Sequence, residues 1–435
     1  MSLSTQPYKG TRDFYPEDKR LQKYIFGKIR EVCELYGYEE YDAPVLEPTD
    51  IYLAKGNEEI IQEQTYTFKD RGDRTITMRT EMTPSVSRMV AAKRQELPYP
   101  LRWYSMPNLW RYERPQKGRL REFWQPNIDL FGVAGIEGDQ EIVQVADAIL
   151  VAFGAKRDMY TIRVNSRALM DFITKDYLGL DSVQATTLVR LVDRMQKMPG
   201  TEFRGLLDGI FSPSQREAGL TKKFDEILTA RSLKDLPEEV ASHPAAKKLA
   251  TLMDLLKSLD ITNAVYDPTL MRGFDYYTDM VFEVFDNDPE NNRSMFGGGR
   301  YDGLVAQFGV EAVPTVGFAL GDVTLQNFLQ AHGLVPALPS ETDIYVIPVG
   351  DTYEKLQPVL SKLRQDGVRV AVDTTSRKAD KQLKTALKKN IPYVMFIGDQ
   401  ELESQQFKLK HLESSEEEAR SLERIVSIVK DRRRK

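Results

Sequence analysis

Cysteine and histidine are scarce in this chain of 435 residues, and their scarcity disfavours several kinds of chemistry. Cys33 is the one cysteine, so neither an internal disulfide nor a zinc site built from thiolates is available. The three histidines, His243, His332 and His411, share no metal-ligand spacing, which disfavours a histidine metal centre and serine–histidine catalysis. We therefore expect chemistry based on Arg, Glu, Asp, Gln, Tyr and the backbone, with no metal held by Cys or His.

Long apolar runs are also missing, and none approaches the roughly 20 residues that span a bilayer. The first ten residues, MSLSTQPYKG, lack the apolar core of a signal peptide. Together with the single cysteine, these features predict a cytoplasmic protein with no membrane partner. The net charge is −5, so contact with nucleic acid would depend on local basic patches rather than on a general positive field.

The common nucleotide-binding motifs are absent as well. The chain has no G-x-x-x-x-G-K-[ST] phosphate loop, and the glycine run 297–299 does not fit G-x-G-x-x-G. We interpret this run as a place where the backbone passes close to a ligand or to another strand, because glycine has no side chain to obstruct the approach.

The stretch from Leu101 to Gly132 predicts a hairpin whose two strands flank the basic turn RPQKGR, with Gly118 able to take a positive φ. Residues two apart share a face of a strand. One face therefore collects side chains suited to a polar, charged ligand: Arg111, Glu113, Gln125, Asn127 and Asp129. A solvated hairpin with a ladder of ion pairs explains the same pattern.

The N-terminal third predicts further elements around this hairpin. Helical periodicity runs from Pro16 to Gly37 and is followed by a proline-containing strand, which fits either a dimer surface or a helix that covers its own sheet. A second hairpin is predicted around residues 71–73. Thr83 is expected to cap a helix with Pro84 in its first position, and Glu81 lies at the strand-to-helix junction, as a cleft residue or a capping acid.

Changes in the pattern of predicted strands and helices along the chain predict its domains. Residues 1–166 and 263–332 form one α/β body, interrupted by a helical insertion over 167–262 and followed by a linker over 333–342. Residues 343–435 alternate strand and helix, which predicts a small, mostly parallel α/β domain. One of its helices carries a basic face that is either solvated or binds RNA: Lys378, Lys381, Lys384, Lys388 and Lys389.

Six runs, in this order, resemble the histidyl-tRNA synthetases, a family of class II aminoacyl-tRNA synthetases: KGTRDFYP, RTEMTPSVSR, RYERPQKGRLREFWQ, LMRGFDYYTDMVFEV, GGGRYDGLV and GFALG. The resemblance covers the whole chain. It implies an α+β catalytic core, with an antiparallel sheet flanked by helices, a helical insertion and a C-terminal α/β anticodon-binding domain. It also implies a homodimer that uses ATP, with its Mg²⁺, to activate L-histidine and transfers it to the 3′ end of histidine tRNA.

The resemblance also implies roles for individual residues. Arg111 and Arg272 would grip the α-phosphate as the catalytic pair and touch the histidine. The other histidine-binding residues would be three for the ammonium group (Glu81, Gln125 and Asp129), two that frame the imidazole (Tyr277 and Tyr301), and Thr83 and Tyr276. ATP would further contact Glu113, Arg119 and Phe123, with Phe123 stacked on adenine. The acceptor end of the tRNA would meet Gln116, Lys117 and Arg119.

The sequence departs from the family pattern at two places. Asp129 stands where many members carry glutamate, one methylene longer. After GFALG the family usually continues with a Glu-Arg pair whose arginine contacts ATP, whereas this chain has Asp322, Val323 and Thr324. The missing arginine leaves two alternatives to the enzyme: a regulatory subunit of ATP phosphoribosyltransferase, or a tRNA-binding sensor. The intact RGFDYY and RPQKGR runs and Glu81 favour the enzyme.

Overall fold

The computed structural model describes residues 3–53, 64–116, 118–195, 198–271, 277–291, 294–375 and 377–434. The chain divides into two compact units, Met1–Val335 and Pro336–Lys435. The strands of the first unit are β1 (Glu39–Glu40), β2 (Leu46–Pro48), β3 (Thr67–Lys69), β4 (Thr75–Met78), β5 (Leu101–Ser105), β6 (Asn108–Trp110), β7 (Glu122–Trp124), β8 (Asn127–Phe131), β9 (Tyr160–Ser166), β10 (Ala264–Tyr266), β11 (Met280–Asp286), β12 (Ser294–Arg300) and β13 (Thr315–Leu320).

The helices of the first unit lie around these strands. They are α1 (Pro16–Leu35), α2 (Asp50–Leu53), α3 (Thr83–Ala92), α4 (Ile136–Ala152), α5 (Arg167–Asp171), α6 (Ser182–Asp193), α7 (Gly200–Ile210), α8 (Pro213–Glu217), α9 (Leu220–Leu228), α10 (Glu238–Ala241), α11 (Pro244–Ser258) and α12 (Asp322–Ala331). A π-helical segment, Phe172–Tyr177, continues α5.

The main sheet of this unit has eight strands among the described residues, in the order β1-β5-β8-β13-β12-β11-β9-β10. Its central pairs are antiparallel, and only the outer pairs, β1 with β5 and β9 with β10, are parallel. The antiparallel catalytic sheet that the resemblance implies is therefore present. Its core is completed by α4, whose residues Ile142, Val145 and Ile149 are fully buried.

Helix α1 follows its sequence signals. Pro16 occupies the first turn with Glu17 and Asp18, where acidic side chains favour the positive end of the helix dipole. The helix ends at Leu35, and Gly37 adopts a φ of 77°, which a residue with a β-carbon rarely does. The predicted hairpin around residues 71–73 is also confirmed, as β3 and β4 pair antiparallel there.

The long hairpin differs from its prediction. Each arm is broken into two strands, so that β5 pairs with β8 in the main sheet while β6 and β7 form a separate ribbon. Pro107 and Pro126 lie at the two breaks, because proline has no N–H for the ladder. Arg111 and Glu113 lie beyond the end of β6 in irregular backbone, so the expectation that they alternate along a strand was wrong.

The start of α3 also differs by one residue. The helix begins at Thr83 itself, with Met82 in the cap position and no side-chain cap. The expectation that Thr83 is the cap was therefore wrong. Pro84 falls in the second position, which it tolerates because the N–H groups of a first turn have no helical partner anyway.

The helices between residues 167 and 258 share one hydrophobic core with the sheet. Leu188, Phe224 and Leu252 of these helices belong to the same buried cluster as Val164 and Phe282 of β9 and β11. These helices therefore belong structurally to the first unit, where they continue the core that the sheet begins.

The second unit is a smaller α/β fold. Its elements are β14 (Ile344–Pro348), α13 (Gln357–Gln365), β15 (Val370–Val372), α14 (Ala379–Lys388), β16 (Tyr393–Ile397), α15 (Asp399–Ser404), β17 (Phe407–His411), β18 (Glu417–Arg420) and α16 (Leu422–Arg434). The sheet order is β15-β14-β16-β17-β18, parallel over the first three strands and antiparallel over the last two. Within the described parts of both units, no helix combines the length and the apolar character needed to cross a membrane.

Candidate active site

Arg111 is held against the segment that leads from β4 into α3. The backbone N–H of Trp110 donates to the Arg79 carbonyl at 2.9 Å, and Arg111 Nε donates to the Thr80 carbonyl at 3.0 Å. The Arg111 guanidinium carbon also lies 5.2 Å from the centre of the Phe123 ring. These contacts leave the terminal nitrogens of a positioned guanidinium beside an aromatic face, an arrangement that suits a phosphate next to a base.

Glu81 follows Thr80 directly and so lies next to the Arg111 anchor. Its side chain is half-buried, and Thr83, two residues later, is 92% buried at the start of α3. Gln125 belongs to the facing arm, where its N–H donates to the Pro107 carbonyl at 3.0 Å between the two pairs of strands. The fold thus brings the β4–α3 junction and both arms of the long hairpin into one region.

The tip of the hairpin carries a single cross-strand bridge. Gln116 and Arg119 exchange backbone hydrogen bonds at 2.9 and 3.0 Å around Gly118, which has a φ of 81°. The Arg119 guanidinium pairs with the Glu113 carboxylate at 3.2 Å and is about half exposed. Lys117 lies outside the described residues. The Glu113 side chain is only 14% exposed, so this pair is partly shielded from solvent, while the Arg119 guanidinium is accessible to a ligand.

The two aromatic residues at the end of β7 face opposite sides of the ribbon and meet different cations. Phe123 has Arg111, whereas Trp124 packs edge-on against Phe14 at 5.0 Å between ring centres. The Arg12 guanidinium carbon lies 4.9 Å from the Phe14 ring and 6.0 Å from the Trp124 ring. Arg12 is therefore on the side of β7 away from the Phe123 ring.

An ion pair with Asp322 holds Arg12 beside Phe14 and Trp124. Arg12 Nη2 donates to Asp322 Oδ2 at 2.6 Å, and the Trp124 backbone N–H donates to Asp322 Oδ1 at 3.2 Å. Burial raises the pKa of the Asp322 carboxyl, and Arg12 opposes that rise. Thr324 turns its hydroxyl inward to the Met295 carbonyl at 2.7 Å. Asp322 and Thr324 thus bind the first turn of α12 to neighbouring parts of the protein. Neither residue supplies a cation to the face of the Phe123 ring.

A cavity of about 170 Å³ adjoins this ion pair between α1 and α12. Its lining includes Arg12, Phe14, Gln22 and Asp322. None of the residues predicted from sequence to bind histidine or ATP lines this cavity, so it is distinct from the region around Arg111.

Asp129 lies deep in the main sheet. The residue is 1% exposed, and its two carboxylate oxygens accept hydrogen bonds from the Tyr301 hydroxyl and from the Asn127 side-chain amide. Gly317 is its partner across β8 and β13. A β-carbon on Gly317 would lie 2.9 Å from the Tyr301 hydroxyl and closer still to Asp129, so only glycine leaves room for this pair.

Tyr277 and Tyr301, which the resemblance assigns to the imidazole, lie close together. Their ring centres are 6.4 Å apart at an angle of 55°. A β-carbon on Gly299 would lie 2.9 Å from the Tyr277 ring, and β-carbons on Gly297 and Gly298 would collide with the carbonyls of neighbouring strands. Close approach to another strand is therefore the explanation of the glycine run. Arg272 and Tyr276, both assigned to the site from sequence, lie outside the described residues.

Sequence reasoning missed a buried ion network behind the tyrosines. Arg300 precedes Tyr301, is 1% exposed, and donates to Asp139 at 2.8 and 2.7 Å. Lys248 of α11 pairs with both Asp139 and Asp279, which lies two residues after Tyr277. Burial raises the pKa of Asp139 while the two cations oppose the rise. The GGGR run, with an arginine inside an apolar strand, was the available signal.

Asn127 was seen in the sequence only as a member of the polar face, and its bond to Asp129 was not foreseen. Two residues apart on β8, the pair shares one face by strand geometry alone. A second buried arginine, Arg79, donates to the carbonyls of Ala43 and Asn108 and so ties three segments together below the Arg111 anchor. An isolated arginine in RTITMRT gave no signal for this role.

The described residues offer no resident metal site, since no group of three or more His, Cys, Asp or Glu side chains among them is placed to hold an ion. Magnesium that arrives with a nucleotide needs only one or two protein carboxylates, because phosphate oxygens and water supply its other ligands.

Known proteins of one family match the whole chain. Residues 10–324 match the family model described as histidyl-tRNA synthetase, and residues 343–432 match that described as anticodon binding domain. A protein of Leptospira biflexa named histidine–tRNA ligase is 40% identical over 433 residues, which cover 99% of this chain and 98% of that protein.

Solved structures agree with this match. The crystal structure of apo S. aureus histidyl-tRNA synthetase has a TM-score of 0.73 at 28% identity, over 98% of this chain and 100% of that one. That of histidyl-tRNA synthetase from Nostoc sp. PCC 7120 has a TM-score of 0.83 over 99% and 100%, and at 24% identity it supports the fold alone. With the antiparallel sheet, the helices that continue its core and the separate C-terminal α/β unit, the chain belongs to the histidyl-tRNA synthetase family of class II aminoacyl-tRNA ligases.

Proposed function

We propose that this chain activates L-histidine with ATP to histidyl-adenylate at the region around Arg111 and transfers the histidyl group to the 3′ end of histidine tRNA. The observation that carries the proposal is the placement of Arg111. Its guanidinium is anchored to the Thr80 carbonyl, next to Glu81, and lies over the Phe123 ring. One group therefore adjoins both an aromatic surface for adenine and a carboxylate for an ammonium group.

The ATP half of the site uses the hairpin. Phe123 stacks on adenine, and Arg111 binds the α-phosphate, where it stabilises the negative charge that develops as the histidine carboxylate attacks phosphorus. Arg272 assists Arg111 at the same phosphate. Glu113 and Arg119 form an ion pair at 3.2 Å, and this pair breaks when both residues contact ATP. The Mg²⁺ that accompanies ATP would neutralise part of the phosphate charge, while the residues of the protein orient the nucleotide.

The histidine half uses the β4–α3 junction and the main sheet. Glu81 and Gln125 bind the ammonium group, since a carboxylate and an amide oxygen both accept its protons. Thr83 and Tyr276 border the amino acid, and Tyr277 and Tyr301 frame the imidazole. The resemblance assigns Asp129 to the ammonium as well, but both of its oxygens already accept hydrogen bonds inside the protein.

The tRNA contacts both units. Gln116, Lys117 and Arg119 at the hairpin tip meet the acceptor end, and the C-terminal unit, residues 343–435, meets the anticodon. Helix α14 offers that unit an RNA surface, because Lys381, Lys384 and Lys388 are all exposed. We also propose the domain boundaries given above, with residues 167–262 as the insertion and 333–342 as the linker. Within the catalytic unit, α1 and the strand after Pro44 form the homodimer surface, and the low cysteine content supports a cytoplasmic location.

A non-catalytic role receives less support. Residues 343–432 of this chain match an anticodon-binding model, and such a domain serves a protein that binds tRNA rather than a regulatory subunit of ATP phosphoribosyltransferase. A tRNA-binding sensor would keep that domain but would not form an adenylate. The observation that favours these alternatives is Thr324, which stands near the position of the usual arginine and bonds to the Met295 carbonyl. The observation that favours the enzyme is Arg111, whose guanidinium lies beside the Phe123 ring.

The test is ATP–pyrophosphate exchange with each of the twenty amino acids supplied singly. We expect exchange with histidine alone. Exchange with no amino acid by the folded chain, together with binding of histidine tRNA, would contradict the proposal in favour of the sensor. A second test replaces Arg272 by Ala, which we expect to abolish nearly all exchange while the fold is preserved, as circular dichroism would show.

A further inference from the structure

The cavity between α1 and α12 has room for more than a single solvent molecule. Its volume is about 170 Å³, whereas one buried water needs roughly 10–15 Å³. Sites for drug-sized ligands have roughly 300–1,000 Å³, so this cavity suits a smaller molecule. Part of its wall is apolar and consists of Phe14, Ile25 and Phe26. The remaining wall is polar, and its hydrogen-bonding groups indicate what the cavity can bind.

Gln22 brings a buried amide to this cavity. The residue is 5% exposed, and Lys19 Nζ donates to its Oε1. An ammonium group can only donate, so the atom that meets Lys19 must be the amide oxygen, and the group left over is the NH₂. Its nitrogen, Nε2, is buried and has no hydrogen-bond partner among the described residues. A buried donor is costly to leave without an acceptor.

Arg12 contributes a second such donor to the same wall. Its Nη2 donates to Asp322 Oδ2 at 2.6 Å, and this bond fixes the guanidinium. Its Nε is buried and, within the parts of the chain that the structure describes, also lacks a partner. Guanidinium nitrogens can only donate. Since Arg12 and Gln22 border one cavity, a ligand that fills it must bring hydrogen-bond acceptors.

The charges of the wall decide which kind of acceptor fits. Arg12 is accompanied by three aspartates, namely Asp13, Asp18 and Asp322. Asp13 and Asp18 are exposed, so we place them at the mouth, whereas Asp322 is 6% exposed and already paired with Arg12. An anionic ligand would have to share Arg12 with the Asp322 carboxylate, and like charges so close repel one another. A cation without an acceptor would leave both N–H groups unpaired.

We propose that this cavity is a second ligand site, which binds a small uncharged molecule that has a carbonyl-type acceptor and a flat apolar body. The acceptor receives hydrogen bonds from Gln22 Nε2 and Arg12 Nε, and the flat body packs against the rings of Phe14 and Phe26. The site lies on the side of β7 away from the Phe123 ring, so it is separate from the region around Arg111. The proposed function is not a premise, because neither ATP nor tRNA takes part.

Three probes that share one ring test the class of ligand by calorimetry on the full-length chain. Benzamide is neutral and has a carbonyl, benzoate is anionic, and benzamidine is cationic and has no acceptor. We expect benzamide to bind at least about tenfold more tightly than either analogue, the difference that one hydrogen bond makes. Tighter binding of benzoate would indicate an anion site, and tighter binding of benzamidine a site built on the aspartates. Either result would overturn the proposal, as would no binding of benzamide.

Gln22→Met tests where benzamide binds, because it removes the amide and keeps a flexible side chain of similar length. We expect this variant to bind benzamide about tenfold more weakly, since one hydrogen bond is lost. Gln330→Met is the matched control, because Gln330 is exposed on α12 and does not line the cavity. Equal affinity for benzamide in Gln22→Met and the wild-type chain would overturn the proposal.

Gln326→Phe is the second variant if Gln22→Met folds poorly, as circular dichroism would show. Gln326 is half-buried in the α12 wall, so a larger ring there fills the cavity from the other helix and should abolish benzamide binding. Unchanged affinity in this variant would also count against the site. Phe123→Leu leaves the cavity intact and should bind benzamide as the wild-type chain does. Loss of binding in Phe123→Leu would assign benzamide to the region around Arg111 and overturn the proposal.

Discussion

The two units of this protein differ in where the cations argued to be functional lie. The catalytic unit buries charged groups inside its sheet and helices, among them Asp129, Arg79, Asp139 and Arg300, each engaged by several partners. The C-terminal unit also buries Asp343 and Asp373, but the cations proposed to meet RNA lie outside, on the lysines of α14. A small substrate needs a few groups held in fixed geometry, whereas an RNA backbone is bound by accessible cations whose positions matter less. The contrast predicts different responses of the two units to mutation and to salt.

The largest effect is expected for Arg111→Met. Loss of one preorganised donor to a developing charge costs about 10²–10³-fold in rate, so histidine-dependent pyrophosphate exchange should fall by that factor. Arg114→Met is the matched control, since Arg114 is an exposed arginine of the same loop with no assigned role in adenylate formation. If both variants lost activity equally, the special placement of Arg111 would have no catalytic meaning.

Gly317→Ala tests the buried side of the comparison. The added β-carbon would lie 2.7 Å from the Ile128 carbonyl and would collide with the Asp129–Tyr301 pair, in a sheet that cannot shift easily. We expect a loss of about 2 kcal/mol in the free energy of unfolding, together with weaker histidine binding. Urea denaturation and calorimetry measure the two effects, and Gly209→Ala, where the added carbon meets nothing within 4 Å, is the control. If Gly317→Ala were destabilised but bound histidine as tightly as the wild-type chain, Gly317 would have no influence on the ligand site.

Asp343 is one of two buried carboxylates described in the C-terminal unit, with Asp373, and its titration should be visible. Burial opposes ionisation of Asp343, but hydrogen bonds from Arg433 and Arg369 outweigh it and lower the pKa of that carboxyl. A carboxyl with a lower pKa in the folded state stabilises the fold above the unfolded pKa, and the contribution disappears as the pH falls through the folded value. Asp343→Asn should therefore cost about 1.5 kcal/mol at pH 7 and much less in strong acid. Urea unfolding of the full chain at both pH values checks this, and equal losses would contradict it.

The smallest effect, and the one that most sharpens the comparison, concerns α14. Replacement of Lys381, Lys384 and Lys388 by Gln should weaken tRNA binding and reduce the slope of log affinity against log salt by about one for each lysine that contacts a phosphate. Pyrophosphate exchange, which needs no tRNA, should not change. Lys355→Gln is the control, because Lys355 is exposed but already paired with Asp399 at 2.6 Å. An unchanged salt slope in the triple variant would mean that these lysines are only solvated.

Much of the fold follows from local signals in the sequence. The helix after Pro16, the hairpin at residues 71–73 and the strand–helix alternation after residue 343 were predicted because periodicity, turn residues and glycine act over short distances. The break of the long hairpin was missed although Pro107 and Pro126 marked it. The hairpin breaks because the two prolines lie opposite one another on its two arms. That alignment depends on the strand register and not on either proline alone.

The candidate site also contains residues that local sequence signals predict and residues that they do not. Arg111, Phe123 and the two tyrosines carry signals in their own motifs, and the structure brings Tyr277 close to Tyr301 and Arg111 close to Phe123. The partners of these residues carry no such signal. Arg12 and Asp322 are 310 residues apart, and Lys248 of α11 reaches Asp279. Pairs at such separations follow from the packing of elements, which no local pattern encodes.

The sequence by itself determined the family, the order of the elements and the kinds of side chain available for chemistry, since these depend on composition, spacing and motif. The tertiary structure alone decided which partners each of those side chains contacts. Asp129 illustrates the difference, because the resemblance assigns it to the ammonium group, whereas in the structure both of its oxygens accept hydrogen bonds from Tyr301 and Asn127. The physical reason is that a carboxylate acts through whatever donors surround it, and those donors come from strands that meet only when the sheet has formed.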